Sequence, residues 1–202
     1  MKNLVIILDP AHGKDVKGKC SPDGTHREYL WSRERVSFIK KMLLERGFKV
    51  FVTTTSEYEP GLSERRNFAN TIAKGSKKLL ISLHNNASGS CSEWKTARGF
   101  CAYTTKGVTG SDKCADIILG QLALDFPNLR LRKFSESKFG WDFEENFSVL
   151  MGNDYMAVLV EWLFQDNKED LALLKNYETN TKFEESLVEA ICKIENSFYG
   201  GK

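Results

Sequence analysis

Two histidines and one misplaced glutamate carry most of the chemistry open to this 202-residue chain. His12 closes the run Leu4-Val-Ile-Ile-Leu-Asp-Pro-Ala-His12, and His84 closes Leu79-Leu-Ile-Ser-Leu-His84. Glu161 interrupts a third run, Ala157-Val-Leu-Val-Glu161-Trp162. Runs of branched aliphatics are strands covered on both faces. In open α/β sheets, chemistry collects at the carboxyl ends of such strands. Zinc takes neutral imidazole and carboxylate ligands, and a catalytic site leaves one position open. Two imidazoles delivered to one sheet edge therefore point to a metal site, although a single strand-end histidine is more often structural. Gly13, directly after His12, lets the backbone turn sharply there. A lone buried carboxylate is costly unless paired, metal-bound or protonated. Desolvation also lifts its proton affinity toward the range a general base needs, so Glu161 is the candidate catalyst. The competing reading is a buried ion pair with an arginine.

The third ligand stays open on these grounds between His26, the remaining histidine, and Glu28. Thr25-His-Arg-Glu28 also reads as a capping box, in which Thr25 and Glu28 satisfy amides at a helix start. Asp9 is placed either to hydrogen-bond a ligand's second ring nitrogen or to cap the turn at Pro10. Arg65 and Arg66 follow Leu62-Ser-Glu on a helix with a polar outer face, where solvated charge is expected. Other chemistries fail. Gly13-Lys14 lacks the upstream glycine of a phosphate loop, no GxSxG elbow occurs, and no nucleophile has a histidine signature to match.

Strand-like runs at 4–8, 48–53, 79–83, 98–104, 147–151 and 157–163 deliver these residues, with helical periodicity between them. A helix is predicted over 28–46, with Leu30, Trp31, Val36, Phe38, Ile39, Met42 and Leu43 on one face and Gly47 closing it. Further helices are predicted over 62–73, 112–124 with Ser111 as cap, 168–177 and 182–196. Strands alternating with helices predict an α/β fold with a mostly parallel sheet covered on both faces. No repeat or linker divides the chain, so residues 1–202 read as a single catalytic domain. Two loops stand out: 85–98, rich in Ser and Gly, and 130–145, with Phe134, Phe139, Trp141 and Phe143 as possible substrate walls or tucked core.

Composition narrows the class. A net charge of +2 from 29 basic and 27 acidic residues is a mixed surface, not the basic stripe of a nucleic-acid binder. No apolar run approaches the about 20 residues of a membrane span. The N-terminal run is too short for a signal peptide and leads straight into Asp9, so synthesis in the cytoplasm is expected. Five cysteines without CxxC pairing read as reduced thiols.

Taken together, these positions resemble the zinc-dependent N-acetylmuramoyl-L-alanine amidases of the amidase_3 type. The family's Asp-Pro-Gly-His-Gly looks like Asp9-Pro-Ala-His12-Gly13, and its helix-opening glutamate like Glu28. Its Leu-x-x-Arg…Ala-Asn helix looks like Leu62-Ser-Glu-Arg65…Ala69-Asn70, and its Ser-x-His-x-Asn-Ala like Ser82-Leu-His84-Asn-Asn86-Ala87. Its Val-Leu-Val-Glu element looks like Val158-Leu-Val-Glu161. Departures are Ala11 for glycine, Met156 for proline, and Leu163-Phe-Gln-Asp-Asn167 for Gly-Phe-Leu-Ser-Asn. The resemblance implies a twisted, mostly parallel six-stranded sheet and a Zn2+ ion held by His12, Glu28 and His84, with Glu161 catalytic. It implies hydrolysis of the amide between N-acetylmuramic acid and L-alanine in peptidoglycan. Without a signal peptide, the protein is expected to reach the wall only after release, as a phage endolysin or a sporulation autolysin does, and to act as a monomer. A different zinc peptidase or amidohydrolase, or an inactive wall-binding module, are the alternatives.

Overall fold

The computed structural model describes residues 2–134, 140–152 and 154–200. The chain runs β1 (Leu4–Pro10), α1 (Glu28–Glu45), β2 (Lys49–Val52), α2 (Leu62–Thr71), β3 (Lys77–Asn86), β4 (Phe100–Thr104), α3 (Gly110–Asp125), β5 (Phe143–Glu144), β6 (Met156–Phe164), α4 (Lys168–Leu174) and α5 (Tyr177–Tyr199). Six strands form one sheet in the order β2-β1-β3-β6-β4-β5. The four strands β2, β1, β3 and β6 run parallel, whereas β4 is antiparallel to β6, so the sheet is mostly parallel as expected.

Alternation along the strands decides which side chains meet the site. Leu4, Ile6 and Leu8, Leu79, Ile81 and Leu83, and Val158, Val160 and Trp162 face the larger core with α1, α3 and α5. Ile7, Leu80, Ala157 and Leu159 face the other way, onto a smaller layer with Ala69 of α2, Val149 and Leu150. With a side-chain period of two, Asp9, Ser82, His84 and Glu161 continue that second face. Trp162 explains why Glu161 points there: its ring stacks on Phe183 at 4.5 Å and meets Phe126 at 4.9 Å on the opposite side. Aromatic pairs of this kind add about 0.5–1.5 kcal/mol each beyond burial, which pins the strand register. Lys78 ties α2 to β3, donating from a fully buried ammonium to the carbonyls of Ala69, Asn70 and Ile72 at 2.8–3.1 Å.

Several local expectations are corrected. Residues 147–151 form a turn rather than a strand, with Leu150 N–H donating to the Phe147 carbonyl at 2.9 Å. That apolar run is buried as a plug on the smaller core, which periodicity alone does not distinguish from a strand. The strand of this region is β5 instead. Thr109, not Ser111, caps α3: it accepts from Ser111 N–H, and Asp112 accepts from Thr109 N–H. Leu30 and Phe38 of α1 are exposed, and the buried stripe is Trp31, Val36, Ile39 and Leu43. The last helix begins earlier, at Tyr177, because Asn176 caps it through Thr179 N–H. No helix among the described residues is long and apolar enough to cross a membrane.

Candidate metal centre

Three of the predicted residues converge. His12 sits two residues past β1, His84 near the end of β3, and Glu28 at the first position of α1. One ligand atom from each lies within 4.8 Å of the other two. Glu28 Oε1 is 3.0 Å from His84 Nδ1 and 3.4 Å from His12 Nε2, and the two imidazoles stand at 89° to one another. Tetrahedral zinc with bonds near 2.0–2.1 Å needs neighbouring ligand atoms about 3.3 Å apart. The donor set and its spacing therefore fit a zinc ion. Glu161 is the direct neighbour of His84 across the β3–β6 ladder, and its Oε2 is buried with no hydrogen-bond partner among the described residues. All four line one cleft of about 340 Å³, shared with Lys19, Leu62, Phe147 and Leu159.

The four groups shift one another's proton affinities. Burial pushes the Glu28 carboxyl up, but hydrogen bonds from His12 and His84 outweigh it and hold the proton affinity far below the carboxylate range. Burial lowers His84, yet the Glu28 hydrogen bond and the fields of Glu28 and Glu161 carry it above an ordinary imidazole. His12 is lowered, chiefly by burial. Burial raises Glu161, and the nearby His84 only partly offsets this.

The remaining candidates take other places. His26 is buried outside the cluster with Nε2 2.8 Å from Asn85 Oδ1. Asn85 Nδ2 donates to the Trp162 carbonyl at 2.8 Å, so the amide presents its oxygen to His26, which must donate from Nε2. Asn85 N–H in turn donates to Glu28 Oε1 at 3.1 Å. The Thr25 capping box is absent: α1 has Arg27 as N-cap with no side-chain cap, and Thr25 Oγ1 donates to Asp23 at 2.8 Å. Glu28 is turned into the cleft, so its carboxylate cannot serve the helix end as well. Asp9 neither supports an imidazole nor caps Pro10. It accepts from Arg65 Nη1 at 2.8 Å, from Ser82 Oγ at 2.6 Å and from Thr53.

Arg65 is the largest correction, being buried rather than solvated. It pairs with Asp9 and with Glu59 at 2.9 Å, and donates to the carbonyls of Pro10 and His12. His12 has φ 45°, a left-handed conformation that costs a non-glycine residue of order 1 kcal/mol. Arg65, Arg33 Nη1 on the Ala11 carbonyl (2.9 Å) and Ser32 Oγ under Ala11 N–H (2.8 Å) hold it there. Ser32 and Arg33 carry no sequence signal beyond lying one turn along α1 from Glu28. Gly13 matters for space rather than conformation, since a Cβ there would come within 2.0 Å of Glu59 N. Arg65→Met strands the Asp9 carboxylate, and unpairing a buried charge costs about 3–5 kcal/mol. Urea unfolding checks this; a loss below about 1 kcal/mol, the ceiling for an exposed pair, would contradict it.

Both prominent loops are placed. The 85–98 loop is fastened by Asp166, which accepts from Ser88 N–H at 2.8 Å and Gly89 N–H at 3.2 Å, and by Asn167 on the Lys95 carbonyl. Of the 130–145 aromatics, Phe134 and Trp141 are exposed and Phe143 packs on Tyr103 at 5.4 Å without lining the cleft, while Phe139 lies outside the described residues. Phe147 is the aromatic at the cleft.

Residues 6–193 match the family described as N-acetylmuramoyl-L-alanine amidase. The chain belongs to this amidase family. No curated protein sequence matches the chain. Similar solved structures include an N-acetylmuramoyl-L-alanine amidase from Clostridium difficile 630, with TM-score 0.82, 22% identity and 100% of both chains covered. Another is the N-acetylmuramyl-L-alanine amidase of Mycobacterium smegmatis, with TM-score 0.79, 18% identity, and 97% of this chain and 98% of that one covered. A third is the catalytic domain of an endolysin targeting Clostridia difficile, with TM-score 0.65, 20% identity, and 94% and 97% covered. At these identities the solved structures speak for the shared fold; the family rests on the match over 6–193.

The amidase accommodates its departures from the family pattern. Ala11 is fully buried with its N–H on Ser32, and Met156 begins β6 beside Gly110. Leu163 keeps a left-handed backbone at φ 60° although it stands where glycine is usual.

Proposed function

We propose that this amidase cleaves the amide joining the lactyl group of N-acetylmuramic acid to L-alanine, using a zinc ion held by His12, Glu28 and His84 and a proton carrier at Glu161. The observation that carries the reading is the spacing of 3.0 and 3.4 Å among the three donor atoms, with the partnerless Glu161 oxygen in the same cleft. Zinc bound there supplies Lewis acidity toward the amide carbonyl and toward water.

The chain's own groups do the rest. Glu161, its proton affinity raised by burial, accepts a proton from the attacking water and returns it to the departing alanine nitrogen. Hydrogen bonds from Asn85 N–H and the Gln165 amide fix the Glu28 carboxylate. The Arg65, Arg33 and Ser32 contacts hold His12 at the rim of the cleft. Leu62, Phe147 and Leu159 give the cleft an apolar side.

Digestion of purified peptidoglycan tests the proposal. The expected products are intact stem peptides with a new alanine N-terminus and glycan strands with free lactyl carboxylates. A chelator should reduce release to background, and zinc should restore it. Cleavage between stem-peptide residues would make the protein a different amidohydrolase. Binding to walls without release of peptide would make it an inert module.

A further inference from the structure

Gln165 stands where the family pattern has a leucine, and its side chain reaches the proposed metal ligand Glu28. Its Nε2 donates to Glu28 Oε2 at 2.9 Å, in a wholly buried setting. The opposite amide orientation would set an oxygen against a carboxylate, so the donor assignment is fixed by chemistry. The same carboxylate presents its other oxygen, Oε1, to His12 Nε2, His84 Nδ1 and Asn85 N–H. The two oxygens are thus divided, one facing the two imidazoles and one tied back to Gln165.

A backbone irregularity delivers this contact. The β3–β6 ladder pairs His84 with Glu161 and then Asn86 with Phe164, so one residue of β3 opposes two of β6. Leu163, inside that bulge, carries the strained φ of 60°. Bulges re-aim side chains beside active sites. Beyond this one, Gln165 N–H bonds the Asn86 carbonyl at 2.9 Å, which draws its side chain up to Glu28. The arrangement has a cost: Gln165 Oε1 is buried without a partner among the described residues. An orphaned buried acceptor is destabilising, a penalty that packing by leucine would avoid.

We infer that Gln165 is a positioning residue that makes Glu28 a one-oxygen ligand, holding Oε2 away from the ion so that a coordination position stays open. The inference rests on the proposal that His12, Glu28 and His84 bind zinc. It concerns how this chain, with glutamine in place of leucine, controls that site.

The test is zinc affinity by competition with a chromophoric chelator, together with the visible absorption of the cobalt(II)-loaded protein, for wild type, Gln165→Met and Gln165→Glu. Methionine keeps the volume and removes the donor. Loss of a contact supporting a ligand costs about 10–100-fold in metal affinity, and methionine should show that loss. Glutamate, which cannot donate when ionised and adds a like charge beside Glu28, should lose more. The cobalt spectrum of the methionine variant should weaken toward that of a higher coordination number as Glu28 engages with both oxygens. Gln165→Leu is the second variant if methionine disturbs the fold, with apo-protein thermal melts as the check on folding. Unchanged zinc affinity and an unchanged cobalt spectrum in a folded methionine or leucine variant would overturn this inference alone. A wild type that binds no zinc would overturn it along with the metal proposal.

Discussion

Glu161→Gln keeps zinc at the wild-type stoichiometry and loses turnover by about 10²–10⁴-fold, the usual contribution of a positioned general acid–base. The substitution removes one proton-accepting oxygen and changes almost nothing else. Glu161 is not among the three clustered donors, and its Oε2 has no partner for the mutation to break. Removing a buried carboxylate also relieves a desolvation penalty, so the variant should melt no lower than wild type. Rates of peptide release from purified walls, with zinc measured on the same preparations, check both halves. A variant with wild-type rates would take Glu161 out of the chemistry.

His84→Ala should lose metal and activity together. Three side chains form the cluster, and a site cut to His12 and Glu28 keeps too few ligands to hold zinc at micromolar concentrations. The affinity loss should exceed the roughly 10–100-fold that follows from losing a supporting contact. Thermal melts supply a readout independent of turnover. Ligand binding to the native state alone stabilises by RT ln(1 + [L]/Kd), about 2.7 kcal/mol at a hundredfold excess over Kd. Added zinc should raise the melting temperature of wild type and leave that of His84→Ala unmoved. A zinc-dependent shift of wild-type size in the variant would mean that the ion sits elsewhere.

Much of the fold was legible because one signal repeats. Apolar runs at 4–8, 79–83 and 157–163 read as buried strands, and the parallel core of β1, β3 and β6 is what they build. Those runs also exposed His84 and Glu161, because a second histidine at a strand end and a carboxylate within a buried strand together outweigh the structural reading that either would have alone. Glu28 was ambiguous for a physical reason: a carboxylate in a first helical turn suits a cap and a cation equally, and only family resemblance separated them. Arg65 was misplaced because helical periodicity tells which residues share a face, not that the face closes over a buried aspartate of β1, 56 residues away in sequence and 2.8 Å away in space. Gln165 gave no signal, since its reach to Glu28 depends on the bulge at Leu163, and a bulge breaks the alternation from which strand faces are read. The run 147–151 misled for the converse reason. Burial without backbone pairing leaves the same hydrophobic pattern as a strand.

The central claim, one cation at His12, Glu28 and His84, is tested most directly by anomalous diffraction from crystals grown with zinc, recorded on both sides of the zinc absorption edge. The account predicts a single strong peak about 2.0–2.1 Å from His12 Nε2, His84 Nδ1 and one oxygen of Glu28, with Glu161 facing it across the open side. A zinc-loaded, active protein whose peak lies away from those three atoms would contradict it.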